Sequence, residues 1–304
     1  MRVHRISLIP EWKFKPEWIM AKNKKQESSP APTPPGSLTF LKLGGSLITD
    51  KAKPSTPRLD VLNRTAGEVA AARAQSPGLQ LILGHGSGSF GHVPAKRHGT
   101  RDGVSTREEW LGFTEVWWQA SALNRLVIEC LRNADLPALS FPVSSAAFGT
   151  GGQFAGWDIG PLQAALDAGV LPVVYGDVVF DQQRGGTIFS TEDIFAFLAR
   201  NLKPERILLA GLEQGVYAGF PEKQELIPEI TPTNFERVAP ELSGSAATDV
   251  TGGMASKVRL MLALTQELPS LQTAIFSGAE PGGIQRALLG ESLGTHIHSP
   301  EVNS

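Results

Sequence analysis

The sequence predicts an α/β fold in which a mostly parallel sheet is covered by helices on both faces. From Leu38 onward, short apolar runs alternate with helical patterns in which apolar residues recur every three or four positions. The apolar runs have the length of buried strands. Strands that alternate with helices are typical of a parallel sheet with two covered faces.

The predicted elements follow one another in βαβα order. The first four are a strand at Leu38–Leu43, a helix at Asp60–Arg73, a strand at Leu79–Leu83 and a long helix at Thr106–Asn133. Further strands are expected at Ala138–Phe141, Val170–Tyr175, Arg206–Ala210 and Thr273–Ser277. Further helices are expected at Pro161–Ala168, Thr191–Asn201 and Gly253–Glu267. The long helix carries a mostly apolar stripe that we expect to face the core, formed by Phe113, Val116, Trp117, Ala120, Asn124, Val127 and Leu131.

Composition excludes several classes of protein. The chain has 304 residues, 41% of them hydrophobic, and one cysteine, so it can bury a large core and needs no disulfides. Residues 1–37 carry seven Lys/Arg and three Asp/Glu, which leaves 21 basic and 27 acidic residues for the rest. Residues 38–304 therefore lack the excess of basic residues that a nucleic-acid-binding face requires. The apolar runs are too short to cross a membrane. The single cysteine, Cys130, lies in an apolar pattern, which favours a buried thiol in a cytoplasmic protein.

Residues 1–37 are expected to form a flexible leader before a single domain at 38–304. Residues 21–37 are rich in Pro, Ser and Lys and have almost nothing to bury. Trp12 and Trp18 leave open whether residues 1–19 pack somewhere, and Met20 is an alternative start of translation. Charged residues interrupt any apolar core that a secretory signal would need.

The first glycine-rich segment follows the first predicted strand. It reads Lys42-Leu43-Gly44-Gly45-Ser46, and Lys51 comes shortly after it. Two glycines let the backbone approach a ligand closely, and successive N–H groups can form an anion nest. An ordinary turn is the alternative for this segment taken alone.

The second segment follows the second predicted strand and ends at His92. Its Gly86-x-Gly88-x-x-Gly91 spacing matches the dinucleotide fingerprint in form. The fingerprint also wants an acidic residue after another strand, whereas Glu108 and Glu109 fall in a helical pattern. We therefore favour a glycine-rich anion loop with His92 beside it.

The third segment, Thr251-Gly252-Gly253, opens a predicted helix that carries Lys257 one turn in. Helix N-termini favour phosphate through their free N–H groups and the helix dipole. The chain has no Gly-x-x-x-x-Gly-Lys-Ser/Thr string, so ATP binding would need an architecture other than a P-loop.

In this order the three segments resemble the amino acid kinase superfamily. Within it, Gly88-Ser89-Phe90-Gly91-His92 looks like the branch of isopentenyl phosphate kinases, because relatives that phosphorylate amino acids lack this histidine. The resemblance covers roughly residues 38–298. It implies a single open αβα sandwich, with the phosphate acceptor over the N-terminal half and ATP over the C-terminal half.

The resemblance also implies roles for individual residues. Lys42, Lys51 and Lys257 would surround the transferring phosphoryl group, and His92 would bind the acceptor phosphate. The other implied acceptor-site residues are Gly45, Gly86, Ser87, Gly91, Phe113, Val116, Gly176 and Asp177. The other implied nucleotide-site residues are Gly44, Ser46, Gly215, Thr251, Gly252 and Gly253.

Two departures from the family pattern bear on these roles. Where relatives have Ser-Gly-Asp-Asp, this chain has Ser190-Thr191-Glu192-Asp193, so either Glu192 or Asp193 is the acid that organises the lysines. Where relatives have Thr-Asp-Val-Asp-Gly-Val near the nucleotide, residues 211–216 lack both aspartates.

The residue types suit transfer of a phosphoryl group to a phosphate. The second pKa of a phosphate monoester is near 6, so the acceptor is already ionised and needs no general base. Lysines, N–H groups and a histidine supply the charge stabilisation that the reaction demands. We expect His85 to be structural and His98 to be a solvated loop residue. Trp117 is expected either to help wall an apolar tail pocket or to pack in the core.

The resemblance thus implies an ATP-dependent kinase that converts isopentenyl phosphate to isopentenyl diphosphate, with Mg²⁺ carried on the ATP phosphates and no metal site of its own. Members of the superfamily are commonly homodimers, so the resemblance also implies a homodimer. A kinase for another small phosphate or phosphonate, such as fosfomycin, is the near alternative. A nicotinamide-dependent oxidoreductase and a non-catalytic ligand sensor are alternatives from other classes.

Overall fold

An eight-stranded sheet forms the centre of the structure, a computed structural model that describes residues 37–219, 225–242 and 253–299. Predictions for residues 1–36, and for Thr251 and Gly252, lie outside these ranges. The strands of the central sheet are β1 (Leu38–Leu43), β2 (Gln80–His85), β3 (Ala138–Ser140), β6 (Leu171–Tyr175), β9 (Arg206–Gly211), β12 (Glu229–Ile230), β13 (Gln272–Ser277) and β14 (Thr295–Ile297). Their order is β12-β14-β13-β9-β1-β2-β6-β3, and every neighbouring pair is parallel except β13 with β14.

Helices cover both faces of this sheet. They are α1 (Gly45–Ile48), α2 (Leu59–Gln75), α3 (Gly88–His98), α4 (Arg107–Asn133), α5 (Gly160–Asp167), α6 (Thr191–Leu202), α7 (Pro232–Val238), α8 (Gly253–Glu267) and α9 (Gly283–Leu288), with 3-10 turns at Val143–Ser145 and Ala239–Leu242. On one face α5, α6 and α8 bury apolar side chains against the sheet. On the other face α2, α4 and α9 do the same. The predicted αβα sandwich with a mostly parallel sheet is confirmed.

All eleven predicted strands and helices are present, and their bounds differ from the predicted ones by at most two residues. The strand Leu38–Leu43 and the helix Gly253–Glu267 have their predicted bounds. The long helix starts at Arg107 because Thr106 caps it, and Glu109 completes the capping box. Cys130 is buried as predicted, with 6% of its surface exposed.

The stripe on α4 faces the core except at one position. Six of its seven side chains are buried, but Trp117 is 41% exposed. Both alternatives for Trp117 were therefore wrong, because its ring neither packs in the core nor lines the cavity described below. It lies instead beside the exposed ring of Trp118.

Smaller sheets that the sequence analysis did not predict flank the main one. A four-stranded sheet has the order β5-β4-β7-β8, from β4 (Ala147–Thr150), β5 (Gln153–Trp157), β7 (Asp177–Asp181) and β8 (Gly185–Phe189). A two-stranded sheet pairs β10 (Val216–Ala218) with β11 (Glu225–Ile227). No helix in the described ranges is both long enough and apolar enough to cross a bilayer.

The register of the central strands brings the glycine-rich segments together. Leu43 at the end of β1 lies between His85 of β2 and Ala210 of β9. His85 in turn lies opposite Tyr175 at the end of β6. Because parallel strands end at the same edge, the segments after β1 and β2 meet above it, where α/β folds bind ligands.

Candidate active site

A cavity of about 400 Å³ lies at this carboxyl edge of the sheet. Most of the predicted site residues line it: Lys42, Gly44, Gly45, Ser46, Lys51, Gly86, Ser87, Gly91, His92, Val116 and Lys257. These residues come from five separate parts of the chain, so the fold gathers both predicted phosphate sites into one space. Three of them are lysines, and six are glycines or serines of the first two glycine-rich segments.

The first two glycine-rich segments touch through their backbones. A Cβ added at Gly45 would lie 2.6 Å from the nitrogen of Gly88, and one added at Gly86 would lie 2.9 Å from the nitrogen of Gly45. Real Cβ atoms do not approach other atoms so closely. Glycine is therefore required on both sides of this contact by space rather than by backbone conformation.

The segment from Gly88 to His98 is a helix, which corrects our prediction of a loop ending at His92. Gly88 begins α3 with φ +50°, a conformation that favours glycine, and a Cβ there would overlap the Thr49 hydroxyl. That hydroxyl accepts from the Ser89 N–H (2.9 Å) and donates to the Gly45 carbonyl (2.7 Å). Thr49 thus ties the first segment to the start of α3, whose N-terminus opens on the cavity at Ser87.

A shielded ion pair lies in the cavity wall between Lys42 of β1 and Glu192 in the first turn of α6. Burial acts to raise the pKa of Glu192, but the charges of Lys42 and Lys257 outweigh it and hold that pKa below its usual range. Asp193 instead accepts from the Ser190 N–H (2.8 Å) and hydroxyl (2.7 Å), which caps α6. Of the two acids left open by the sequence, Glu192 is the one placed among the lysines.

The end of the cavity near His92 is apolar. Ala95, Val116 and Ile188 line it. Phe113 does not, contrary to our expectation, because it lies behind Val116 and packs on Trp110 and Phe180 with ring centroids 5.2 and 5.3 Å apart. Phe113 therefore packs in the apolar cluster behind the lining residues Ala95 and Val116.

Gly176 and Asp177 also do not line the cavity, which corrects their predicted place at the acceptor. Asp177 is fully buried and accepts from the Ser144 hydroxyl (2.6 Å) and the Val178 N–H (2.9 Å). Burial raises the pKa of its carboxyl to about 7. The Gly176 N–H contacts the Thr191 hydroxyl (3.1 Å) and the His85 carbonyl (3.3 Å). Gly176 thus contacts the start of α6, whereas Asp177 contacts the 3-10 turn at Val143–Ser145.

At the nucleotide end, Gly215 does not line the cavity. It packs against Thr295 and Leu226, and the neighbouring Leu212 and Glu213 line the wall in its place. Gly253, also expected there, begins α8 with φ +67° and is itself outside the wall, whereas Met254 and Lys257 line it. The third glycine-rich segment thus reaches the cavity through the first turns of its helix.

Two other histidines have distinct surroundings. His85 is fully buried, and burial lowers its pKa to about 4. His98 is not the solvated loop residue that we expected, because it ends α3 and its Nε2 lies 2.8 Å from Glu115 on α4. His92 is thus the histidine that faces the cavity among the described residues.

Sequence reasoning missed two cavity residues with guanidinium groups. Arg58 precedes α2 and Arg101 lies between α3 and α4, where a guanidinium nitrogen is 3.7 Å from Asp193. Neither belongs to a recognisable motif, and the glycines near Arg101 were the sole local hint of a turn. In the part of the chain that the structure describes, no three His, Cys, Asp or Glu side chains cluster to hold a metal ion.

Comparison with known proteins agrees with this geometry. The model of the amino acid kinase family matches residues 37–277. Isopentenyl phosphate kinase from Methanocaldococcus jannaschii is 34% identical over 87% of this chain and its own full length. The enzyme of that name from Haloferax volcanii is 36% identical over 86% of this chain and 98% of its own.

Solved structures show the same relationship. A crystal structure of isopentenyl phosphate kinase superposes with a TM-score of 0.72 at 31% identity, covering 86% of this chain and 99% of the other. A substrate complex of isopentenyl phosphate kinase has a TM-score of 0.68 at 25% identity, covering 86% and 100%. The family model matches most of the chain, the relatives are 34% and 36% identical over nearly their full length, and the solved structures share the fold. The chain therefore belongs to the amino acid kinase family and, within it, to the isopentenyl phosphate kinases.

Proposed function

We propose that this chain transfers the γ-phosphoryl group of ATP to isopentenyl phosphate, giving isopentenyl diphosphate and ADP. The relatives that it matches along most of their length are named isopentenyl phosphate kinase. The observation that carries the proposal is the cavity itself, which places Lys42, His92 and Lys257 beside a short apolar end. A monophosphate with a small hydrocarbon tail has this same division of charged and apolar parts.

The chain's residues can do the chemistry without a general base. The acceptor's phosphate oxygen is mostly ionised at neutral pH, so it attacks the γ-phosphorus directly while the bond from that phosphorus to the β-γ bridging oxygen breaks. Lys42, Lys51 and Lys257 neutralise the charge that builds up between the two polyanions. Glu192 keeps Lys42 aimed at this point, and the helix that begins at Gly88 presents its N-terminus to the acceptor phosphate.

His92 is proposed to donate a hydrogen bond to the acceptor phosphate. It lines the cavity next to Ser87 and Gly91, between the glycine segments and the apolar end. An imidazole at this boundary can contact the phosphate while the tail lies against Val116 and Ile188. The acceptor would thereby be bound in one orientation, with its phosphate toward the lysines.

Mg²⁺ is proposed to enter as part of the substrate, bound to the ATP phosphates. The acid nearest the lysines, Glu192, is already paired with Lys42. Among the described residues, no three His, Cys, Asp or Glu side chains cluster where they could hold a divalent ion.

The experiment is an ADP-release assay with ATP and Mg²⁺ against a panel of acceptors: isopentenyl phosphate, dimethylallyl phosphate, fosfomycin, UMP and N-acetylglutamate, with a control lacking acceptor. Turnover confined to the isoprenoid monophosphates supports the proposal. Turnover with fosfomycin alone would make the chain a phosphonate kinase, and ATP binding without turnover would favour a ligand sensor.

A matched pair of variants tests the apolar end. Val116→Phe fills the space in front of Phe113 and should raise the KM for isopentenyl phosphate without changing the KM for ATP. Val127→Ile, on the buried stripe of the same helix away from the cavity, is the control. Equal effects of both changes on the acceptor would show that the tail does not bind beside Val116.

We also propose, from the family resemblance, that the chain forms a homodimer and, from the composition of residues 1–37, that these residues are a dispensable leader. Light scattering of the full chain, and activity of a chain beginning at residue 38, test these two points separately.

A further inference from the structure

His85 directly precedes the second glycine-rich segment, and its ring contacts Gly86 in that segment. Its Nδ1 is 3.2 Å from the carbonyl oxygen of Gly86. Its Nε2 is 3.1 Å from the side-chain oxygen of Asn124 on α4, and the Asn124 amide nitrogen donates to the Ser140 hydroxyl at 2.8 Å. The ring is fully buried and stacks on Tyr175, with centroids 5.3 Å apart and planes 8° apart.

The donors and acceptors in this chain of contacts do not balance for a neutral ring. A carbonyl oxygen only accepts, so Nδ1 must carry a hydrogen; an amide oxygen at Nε2 would require a second hydrogen there. The doubly protonated ring would be a cation, fully buried and close to the positive charge of Lys42. Burial and Lys42 both oppose that charge and lower the pKa of His85 to about 4.

A half-turn of the Asn124 amide removes the conflict, since the oxygen and nitrogen of an amide occupy nearly the same space. The amide nitrogen then donates to Nε2, and the Ser140 hydroxyl donates to the amide oxygen. Every polar atom from Ser140 to Gly86 is satisfied with a neutral ring that carries its hydrogen on Nδ1.

We infer that His85 is a positioning residue that, held as the neutral Nδ1–H form by Asn124, fixes the Gly86 carbonyl and so aims the Ser87 N–H into the cavity. The two groups belong to one planar peptide, and in a trans peptide the C=O and N–H point in opposite directions. A carbonyl held toward His85 therefore turns the N–H of Ser87 away from it, and Ser87 lines the cavity. No described residue accepts a hydrogen bond from this N–H.

The neighbouring peptide is fixed as well. The His85 carbonyl accepts from the Thr191 hydroxyl (2.7 Å), and the Gly86 N–H donates to the Leu43 carbonyl (3.1 Å). Stacking on Tyr175 and the contacts at both ring nitrogens hold the ring toward Gly86. The identification of the group bound by Ser87 as the acceptor phosphate rests on the proposed function, but the form of the ring does not.

The first test is therefore independent of activity. In protein labelled with ¹⁵N-histidine, the His85 ring is assigned through its contacts with Tyr175, one of two tyrosines in the chain. We expect a protonated Nδ1 and an unprotonated Nε2 from pH 6 to 8. A hydrogen on Nε2, alone or together with Nδ1, would overturn the inference.

The second test uses two amides that replace different ring nitrogens. The nitrogen of His85→Asn falls near Nδ1 and keeps the donor to Gly86, whereas His85→Gln reaches toward Asn124 and loses it. We expect the KM for the acceptor to rise about tenfold in H85Q and to stay within about threefold in H85N, with the KM for ATP unchanged in both. Equal increases in both variants would overturn the positioning role. Absence of turnover in the unmodified enzyme would instead contradict the proposed function, leaving the labelling test to decide the form of the ring.

Discussion

Glu192 forms an ion pair with Lys42 across the gap between α6 and the end of β1, and the two side chains are only 6% and 8% exposed. Each partner alone would be a nearly buried charge, which is costly without compensation. The pair therefore fixes Lys42 at the cavity wall while the field of Lys257 adds to the stabilisation of the carboxylate.

Glu192→Gln is expected to lower kcat about 100-fold, because Lys42 loses the charge that orients it toward the phosphoryl group. The measurement is steady-state turnover with saturating ATP and acceptor. Asp193→Asn is the control: it weakens the cap of α6 and costs about 1 kcal/mol of stability, but it leaves the lysines in place and kcat within about threefold. Loss of activity in D193N with retention in E192Q would reverse the assignment.

His92→Gln should keep part of the activity, since an amide also donates a hydrogen bond, whereas His92→Ala should lose most of it. In the ADP-release assay with varied isopentenyl phosphate, we expect kcat/KM to fall about 10-fold for His92→Gln and about 1000-fold for His92→Ala. His98→Gln serves as the comparison, because His98 lies on the same helix but contacts Glu115. Near-normal rates in both His92 variants would remove this residue from the mechanism.

Gly88→Ala should lower both stability and activity. The added methyl group overlaps the Thr49 hydroxyl in a backbone with φ +50°, so the junction between the two glycine segments must open. Gly99→Ala at the other end of α3 has a similar φ of +61° but open space around it. We expect G99A to cost about 1 kcal/mol in urea unfolding and G88A clearly more. Equal costs would mean that the backbone conformation, and not the contact, requires glycine at 88.

Asp177 and His85 affect stability in opposite directions as pH changes. The pKa of Asp177 is raised from 3.8 to about 7, so between these values the folded chain holds a proton that the unfolded chain has lost, and rising pH destabilises the fold. The pKa of His85 is lowered from 6.5 to about 4, so between these values the unfolded chain holds the extra proton, and falling pH destabilises the fold. The two effects offset each other over most of pH 4 to 6.5.

Asp177→Asn should remove the effect of Asp177 on stability and leave that of His85. The free energy of unfolding of the unmodified protein, relative to the variant, is expected to fall as pH rises from 4 to 7, by up to about 4 kcal/mol. The variant itself should lose stability on acidification below pH 6.5, because His85 is no longer offset. Urea unfolding at half-unit pH intervals measures both curves. Parallel curves for the two proteins would show that Asp177 does not titrate in this range.

The main sheet and its helices could be predicted because their signals are local. Strands such as Leu38–Leu43 are continuous apolar runs, and Thr106 with Glu109 marks the start of α4. The four-stranded sheet gave no such signal, since its strands have only four or five residues and three of the four contain glycine. The helix from Gly88 to His98 contains two glycines and Pro94, and its packing on α4 outweighs their poor helix propensity.

The site residues could be predicted where glycines and lysines follow the order of the family motifs. They could not be predicted where a residue outside any motif reaches the cavity. Arg58 and Arg101 reach the cavity from loops whose placement depends on the packing of α2, α3 and α4. Gly176 and Asp177 match the family pattern, yet both are buried and neither lines the cavity. Sequence spacing alone does not separate residues that line a cavity from those that support its lining.

The backbone contact between Gly45 and Gly88 sets a length scale for the reaction. With no side chain between them, the two segments proposed to bind the donor and acceptor phosphates lie at a fixed spacing beside each other. We expect a substitution elsewhere in the wall to change substrate binding or turnover without changing this spacing. The spacing of the two segments is thus set by the backbone itself, and the side chains around it are left to select the substrate.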